Sequence, residues 1–277
     1  MPNVFISGGT GFVGLNLLQY GLTHYPDMCF TVLTRNPYIF EDRAPAIANH
    51  KRVKTYPGDI TNFKFPDEHF DYIIHGALDL TNLMQSGSLG TAHVTRLAYE
   101  QHCRTLFLSS GAVYQHPPQS IYGWIKQRGE VIMTDAMKAR LFTFCGDYMP
   151  LDDRFAVGTF IRQAKGGGPI SLYGGHKTYR SYMHTSEMAR WCWEILLNGN
   201  PGRSYDVGSE EPVSIHDLAY KVAIQLGVAV TEQEGPEIES YYVPDTSATR
   251  AELGLSNNIN LCTAIRKTIE WQKASTL

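Results

Sequence analysis

Val4-Phe5-Ile6-Ser7-Gly8-Gly9-Thr10-Gly11-Phe12-Val13-Gly14 is the stretch that decides the fold. Val4 to Ile6 is a short apolar run that reads as a buried strand. From Phe12 to Gly21 the apolar spacing is helical. The turn between them fits G-x-G-x-x-G through Gly9, Gly11 and Gly14, and G-x-x-G-x-x-G through Gly8, Gly11 and Gly14. Between a strand and a helix, glycines allow a tight turn, close approach of a pyrophosphate, and close helix–strand packing. The helix N-terminus adds amide donors and a positive dipole end. Gly8, Thr10, Gly11, Phe12, Val13 and Gly14 are therefore expected to hold a dinucleotide.

Outward from this turn the same rhythm repeats. Thr31-Val32-Leu33, Val53 to Tyr56, Tyr72-Ile73-Ile74, Thr105 to Leu108 and Leu141 to Phe144 read as strands. Thr91 to Gln101 and Tyr122 to Ala139 read as helices. Short apolar strands alternating with helices indicate an α/β fold with a doubly wound parallel Rossmann sheet, covered on both faces. Ligands then bind at the carboxyl ends of the strands. After Gly146 the rhythm changes. Gly166-Gly167-Gly168-Pro169 is a turn before the apolar Ile170 to Tyr173, and Ser214 is placed to cap a helix running to Leu226. No linker separates the halves, so the C-terminal part is expected to pack directly on the first domain and close a cleft.

Bulk properties remove several classes. The chain has 277 residues, 43% of them hydrophobic, and a net charge of −3 with both signs scattered, so nucleic acid is not an expected partner. The five cysteines lie far apart with no C-x-x-C, so neither a disulfide framework nor a metal site is expected. No stretch approaches the roughly 18 apolar residues of a membrane span, and Met-Pro-Asn leads at once into the first strand, without the basic start of a signal peptide. A cytoplasmic protein without a membrane partner is expected.

The second strand runs into Arg35, where an acid would hold an NAD ribose. A guanidinium suits a 2′-phosphate in charge and shape. NADP(H) is therefore the preferred cofactor, with NAD(H) the alternative. Gly174-Gly175-His176-Lys177-Thr178 is not a phosphate loop, because His176 separates glycine from lysine. Tyr122 and Lys126 form Tyr-x-x-x-Lys, which on a helix puts hydroxyl and ammonium on one face. The ammonium and an oxidised nicotinamide are expected to lower the phenol's pKa, so that Tyr122 can move a proton. Ser110, at the end of the neighbouring strand, can donate a hydrogen bond to a carbonyl or alkoxide oxygen.

Together these residues resemble the extended short-chain dehydrogenase/reductases, the NAD(P)-dependent sugar-nucleotide epimerase/dehydratase family. The likeness runs nearly end to end. It implies that Ser110, Tyr122 and Lys126 are the catalytic trio, with Tyr122 and Lys126 also touching the cofactor. Gly58-Asp59-Ile60 resembles the adenine contact, and His75-Gly76-Ala77 the stretch passing the cofactor. Arg140-Leu141-Phe142 resembles the run past the nicotinamide. The likeness further makes Asp59, Ile60, Ala77 and Phe142 cofactor residues, and Ser110, Thr143 and Arg180 substrate residues, Arg180 as the diphosphate ligand. It implies a Rossmann domain over 1–145 and a mainly substrate-binding region over 146–277 with segments returning to the first. It also implies a nucleotide-sugar substrate and a homodimer through the two central helices.

Departures from the family pattern bear on the reaction. The connection from Ser110 to Tyr122 is short. Gly111 and Ala112 follow Ser110 where 4,6-dehydratases carry acids, which argues against dehydration. A family asparagine is replaced near Gly87-Ser88, and Thr143 stands where many epimerases have asparagine. The leading expectation is NADPH-dependent reduction of a 4-keto sugar nucleotide. The alternatives are a 4-epimerase with tightly bound NAD and a non-catalytic NADP-binding regulator.

Overall fold

The computed structural model describes residues 1–115, 120–235 and 238–275. In chain order it forms β1 (Asn3–Ser7), α1 (Phe12–His24), β2 (Cys29–Thr34), α2 (Pro37–Arg43), α3 (Pro45–Ala48), β3 (Val53–Pro57), β4 (Tyr72–His75), α4 (Thr91–Gln101), β5 (Arg104–Ser110), α5 (Ile121–Ile132) and β6 (Met137–Leu141). There follow β7 (Phe144–Cys145), α6 (Ala156–Lys165), β8 (Ile170–Tyr173), β9 (Thr178–Arg180), β10 (Met183–His184), α7 (Thr185–Asn198), β11 (Ser204–Val207), β12 (Val213–Ser214), α8 (Ile215–Leu226), β13 (Val230–Gln233), β14 (Ser240–Tyr242), α9 (Ser247–Leu253) and α10 (Leu261–Ala274). Contacts divide the chain into two compact units. The first holds Met1–Leu141, Ala189–Val207 and Ala248–Gly254; the second holds Phe142–Met188, Gly208–Ser247 and Leu255–Leu277.

The first unit is built on a seven-stranded sheet in the order β11-β6-β5-β4-β1-β2-β3. Every neighbouring pair is parallel. Val4, Phe5 and Ile6 are all fully buried, so both faces of the central strand are covered and polar alternation is absent. One face packs Phe5, Ile73 and Phe107 with Phe63, Phe70, Val94 and Leu97. Truncating an aromatic in such a core to alanine costs about 3–5 kcal/mol. Trp193 of α7 is fully buried, and its indole N–H donates to the Leu17 carbonyl at 2.9 Å. Gly21 makes room for it, since a Cβ there would lie 2.7 Å from the ring.

Two expected elements are corrected. The helix expected to run from Tyr122 to Ala139 stops at Ile132, and Met137 to Leu141 is a strand beside β5. The strand expected over Leu141 to Phe144 is divided: β6 ends at Leu141, and the two-residue β7 covers Phe144–Cys145. In β6, Lys138 is buried and donates to the carbonyls of Thr134 (2.5 Å) and Gly202 (3.0 Å).

The second unit contains a parallel β7–β10 pair, a β12-β9-β14 sheet and a parallel β8–β13 pair. Ser214 caps α8, accepting from the Asp217 amide at 2.9 Å. Among the described residues, no helix is long and apolar enough to cross a membrane.

Candidate active site

The sheet order reverses between β1 and β4, and a doubly wound sheet opens its ligand crevice at such a switch. The glycine turn sits at this place. Gly11 donates to the Gly8 carbonyl at 3.1 Å, closing the turn. Gly8 has φ +78°, and a Cβ on it would lie 2.6 Å from the backbone of Gly76 and Ala77. A Cβ on Gly14 would lie 2.2 Å from the Gly8 carbonyl oxygen. Only glycine satisfies both positions. Gly11, at the N-cap of α1, has no side chain to occupy the space in front of the helix.

A cleft of about 630 Å³ opens beside this turn. Gly8, Thr10, Gly11, Arg35, Asp59, Ile60 and Ala77 line it together, from the ends of β1, β2, β3 and β4. Phe12, Val13 and Gly14 form the first turn of α1. The bare helix start and the cradle that a Cβ would fill suit a dinucleotide pyrophosphate. Four further lining residues, Asp79, Asn82, Gln85 and Ser86, escaped the sequence reading. The last two begin a π-helical turn over Gln85–Gly90. A Cβ on Gly87 would come within 2.2 Å of Ile125 of α5. Gly87-Ser88, noted as a departure from the family pattern, was the only trace of this turn in the sequence.

Electrostatics in the cleft differ from expectation. The Arg35 guanidinium is tied to Asp79 at 2.6 Å. The Thr81 hydroxyl and amide, and then Arg35, hold the Asp79 carboxyl down at about 2. The Asp59 carboxyl is likewise lowered, first by the Thr61 hydroxyl at 2.6 Å and then by its amide. Two carboxylates thus share the rim with Arg35, and the Arg43 guanidinium donates to the carbonyl of the lining residue Thr10 at 3.2 Å. Asn36 turns away to cap α2 through the Tyr38 and Ile39 amides.

Ser110, Tyr122 and Lys126 are also brought together in the first unit. Ser110 ends β5 and hydrogen-bonds the Tyr122 hydroxyl. Tyr122 lies in the first turn of α5, whose N-cap Ser120 accepts from the Gly123 amide at 3.1 Å. Lys126 is buried and donates to the Leu108 carbonyl at 2.6 Å. Its ammonium is 5.8 Å from the Tyr122 ring centre. Burial pushes the Lys126 pKa down to about 8. The expected lowering of Tyr122 by Lys126 is corrected: burial raises the phenol, and Ser110 only partly offsets this. Residues 116–119, within the short Ser110–Tyr122 connection, lie outside the described residues.

Phe142, Thr143 and Arg180 belong to the second unit. Phe142 packs on Tyr242 at 4.8 Å between ring centres. The Thr143 carbonyl accepts from the Met183 amide at 3.1 Å. Arg180 donates to the Tyr179 carbonyl at 2.7 Å and to the Ser240 hydroxyl at 3.0 Å.

Residues 4–208 match the NAD dependent epimerase/dehydratase family, and the chain belongs to that family. It is an enzyme family acting on sugar nucleotides. The fold is shared with dTDP-glucose 4,6-dehydratase from Bacillus anthracis, solved in complex with NAD (TM-score 0.87, 17% identity, covering 99% of this chain and 97% of that one). It is shared with the Bordetella bronchiseptica enzyme WbmF, solved with NAD+ and UDP (TM-score 0.86, 23% identity, 99% and 93% covered) and also with NADH. UDP-glucose 4-epimerase from Thermotoga maritima, solved with UDP-glucose, is a third (TM-score 0.82, 13% identity, 99% and 100% covered). The NADP(H) preference is corrected accordingly. The related structures hold NAD, NAD+ or NADH, and Arg35 is already neutralised by Asp79 beside a second carboxylate.

Proposed function

We propose that the protein is a nucleotide-sugar 4-epimerase working with a retained NAD+. The observation that carries this is the Ser110–Tyr122 hydroxyl pair, with buried Lys126, in the same unit as the dinucleotide cleft. NAD+ bound in the cleft would supply the hydride acceptor and donor for sugar C4, and its positive ring would favour the phenolate. Tyr122 takes the proton of the C4 hydroxyl as that carbon becomes a ketone, and gives it back on re-reduction from the other face. Ser110 donates a hydrogen bond to the same oxygen in both directions. Lys126 holds its proton close to the tyrosine. In this reading Phe142 borders the nicotinamide, Thr143 meets the sugar and Arg180 binds the diphosphate.

Net reduction of a 4-keto sugar rested on NADPH and loses its support with the cofactor correction. Dehydration, the activity named for the B. anthracis relative, needs an acid and a base beside the catalytic hydroxyl; Gly111 and Ala112 supply neither. A homodimer on α4 and α5 belongs to the same proposal, with Tyr99, Trp124 and Val131 exposing apolar surface on those helices.

The test is incubation with UDP- and dTDP-hexoses in D2O, without added reductant, followed by NMR and mass spectrometry. The expected product is the C4 epimer, unchanged in mass and free of deuterium, because the same hydrogen leaves and returns. A product that has lost water and gained solvent deuterium means dehydration and overturns the proposal. Turnover that requires external NADPH overturns it too.

A further inference from the structure

The turn Gly174-Gly175-His176-Lys177-Thr178 plays no part in the chemistry above, yet it assembles something of its own in the second unit. Gly174 and Gly175 have φ +63° and +95°, which turns the chain sharply. The His216 amide, at the start of α8, donates to the Gly175 carbonyl at 3.4 Å. This contact brings the His176 and His216 rings into a stack, 4.1 Å between centres. Glu232 arrives on β13, whose parallel register with β8 fixes its place opposite Leu172. One ligand atom from each of His176, His216 and Glu232 lies within 4.8 Å of the others.

His216 has a carboxylate at each ring nitrogen. Its Nδ1 is 3.2 Å from the Asp217 carboxylate, and its Nε2 is 3.4 Å from Glu232 Oε1. The Glu232 carboxylate thus faces Nε2 of His216 across the space that His176 also borders. A carboxylate on the far nitrogen is also what orients a metal-binding histidine. Tyr220 donates its hydroxyl to Glu232, steadying the third ligand.

We propose that His176, His216 and Glu232 form a binding site for a divalent transition ion, Zn2+ foremost, with a fourth position open to water. Two imidazoles and a carboxylate suit zinc rather than calcium or magnesium. Bonds of about 2.0–2.2 Å put tetrahedral donors about 3.4 Å apart. Exposed His176 and Glu232 side chains close that remaining gap by small rotations. The ion ties the glycine turn, α8 and β13 together, a few residues before Arg180.

The test is titration of the EDTA-treated protein with ZnCl2 by calorimetry, repeated with Co2+ and visible absorption. One ion per chain is expected, with nitrogen–oxygen d–d bands for cobalt. His176→Ala and Glu232→Gln should each weaken binding at least about tenfold, by analogy with the cost of losing supporting contacts, while circular dichroism stays unchanged. His24→Ala should bind as the parent does. Failure of the parent to bind stoichiometrically overturns the proposal. So does binding that survives both ligand variants, or a cobalt–thiolate charge-transfer band, which would place the ion on a cysteine such as exposed Cys262.

Discussion

Tyr122→Phe should lower turnover by about 10²–10⁴-fold, the usual contribution of a positioned proton-transfer group, and leave dinucleotide affinity and folding nearly unchanged. The substitution removes one oxygen and keeps the ring. Ser110 still accepts from the Ala112 amide at 3.2 Å but loses the partner of its own O–H, a cost of about 1 kcal/mol. The phenol is held high by burial in this structure. Its loss is therefore felt when charge moves through it, more than in the resting fold. The measurement is steady-state kcat on whichever sugar nucleotide turns over, beside a fluorescence titration with NADH. Full turnover in the variant would exclude Tyr122 as the proton carrier. Biological activity without any turnover in the parent would instead point to a nucleotide-sensing protein.

Acidification should destabilise the protein through His75, and a variant lacking the imidazole should feel this less. His75 is buried at the end of β4. Its Nδ1 pairs with the Ser7 hydroxyl at 2.6 Å and its Nε2 with Thr91 at 3.1 Å. Burial first, and then the Lys126 charge, push its pKa down to about 3. The sign follows from the direction. The unfolded chain takes up this proton near its ordinary pKa of about 6.5, whereas the folded chain resists until about 3. Protonation therefore favours unfolding. The stabilisation is complete above pH ~6.5 and is lost as the pH falls toward 3, amounting to about 5 kcal/mol. Urea unfolding at several pH values should show a steeper fall in the parent than in His75→Gln. Equal slopes would mean that carboxylates alone govern acid unfolding.

Much of the first unit was legible because its signals are local. The Gly8–Gly14 turn, the apolar strands and the Tyr122/Lys126 spacing each lie within a few residues, and a parallel sheet assembles them in a fixed way. Three things were not legible. Arg35 looked like a phosphate ligand because its partner Asp79 lies on another strand's loop, and no local pattern pairs them. The end of α5 was hidden because β6 follows it closely and is recognised only by its register with β5. The π-helical turn over Gln85–Gly90 depends on the approach of Ile125, a contact between elements distant in sequence. His176, His216 and Glu232 share that difficulty, since their proximity arises from the turn, α8 and β13 folding together.

The most direct measurement identifies the nucleotide that copurifies with the protein. The sample is denatured, and the released species is quantified and identified by mass spectrometry, including its redox state and any 2′-phosphate. The account predicts near-stoichiometric NAD+, with some NADH and no 2′-phosphate, held in the cleft where Asp79 neutralises Arg35. Recovery of NADP+ or NADPH, or an empty site that binds NADPH well and NADH poorly, would contradict it.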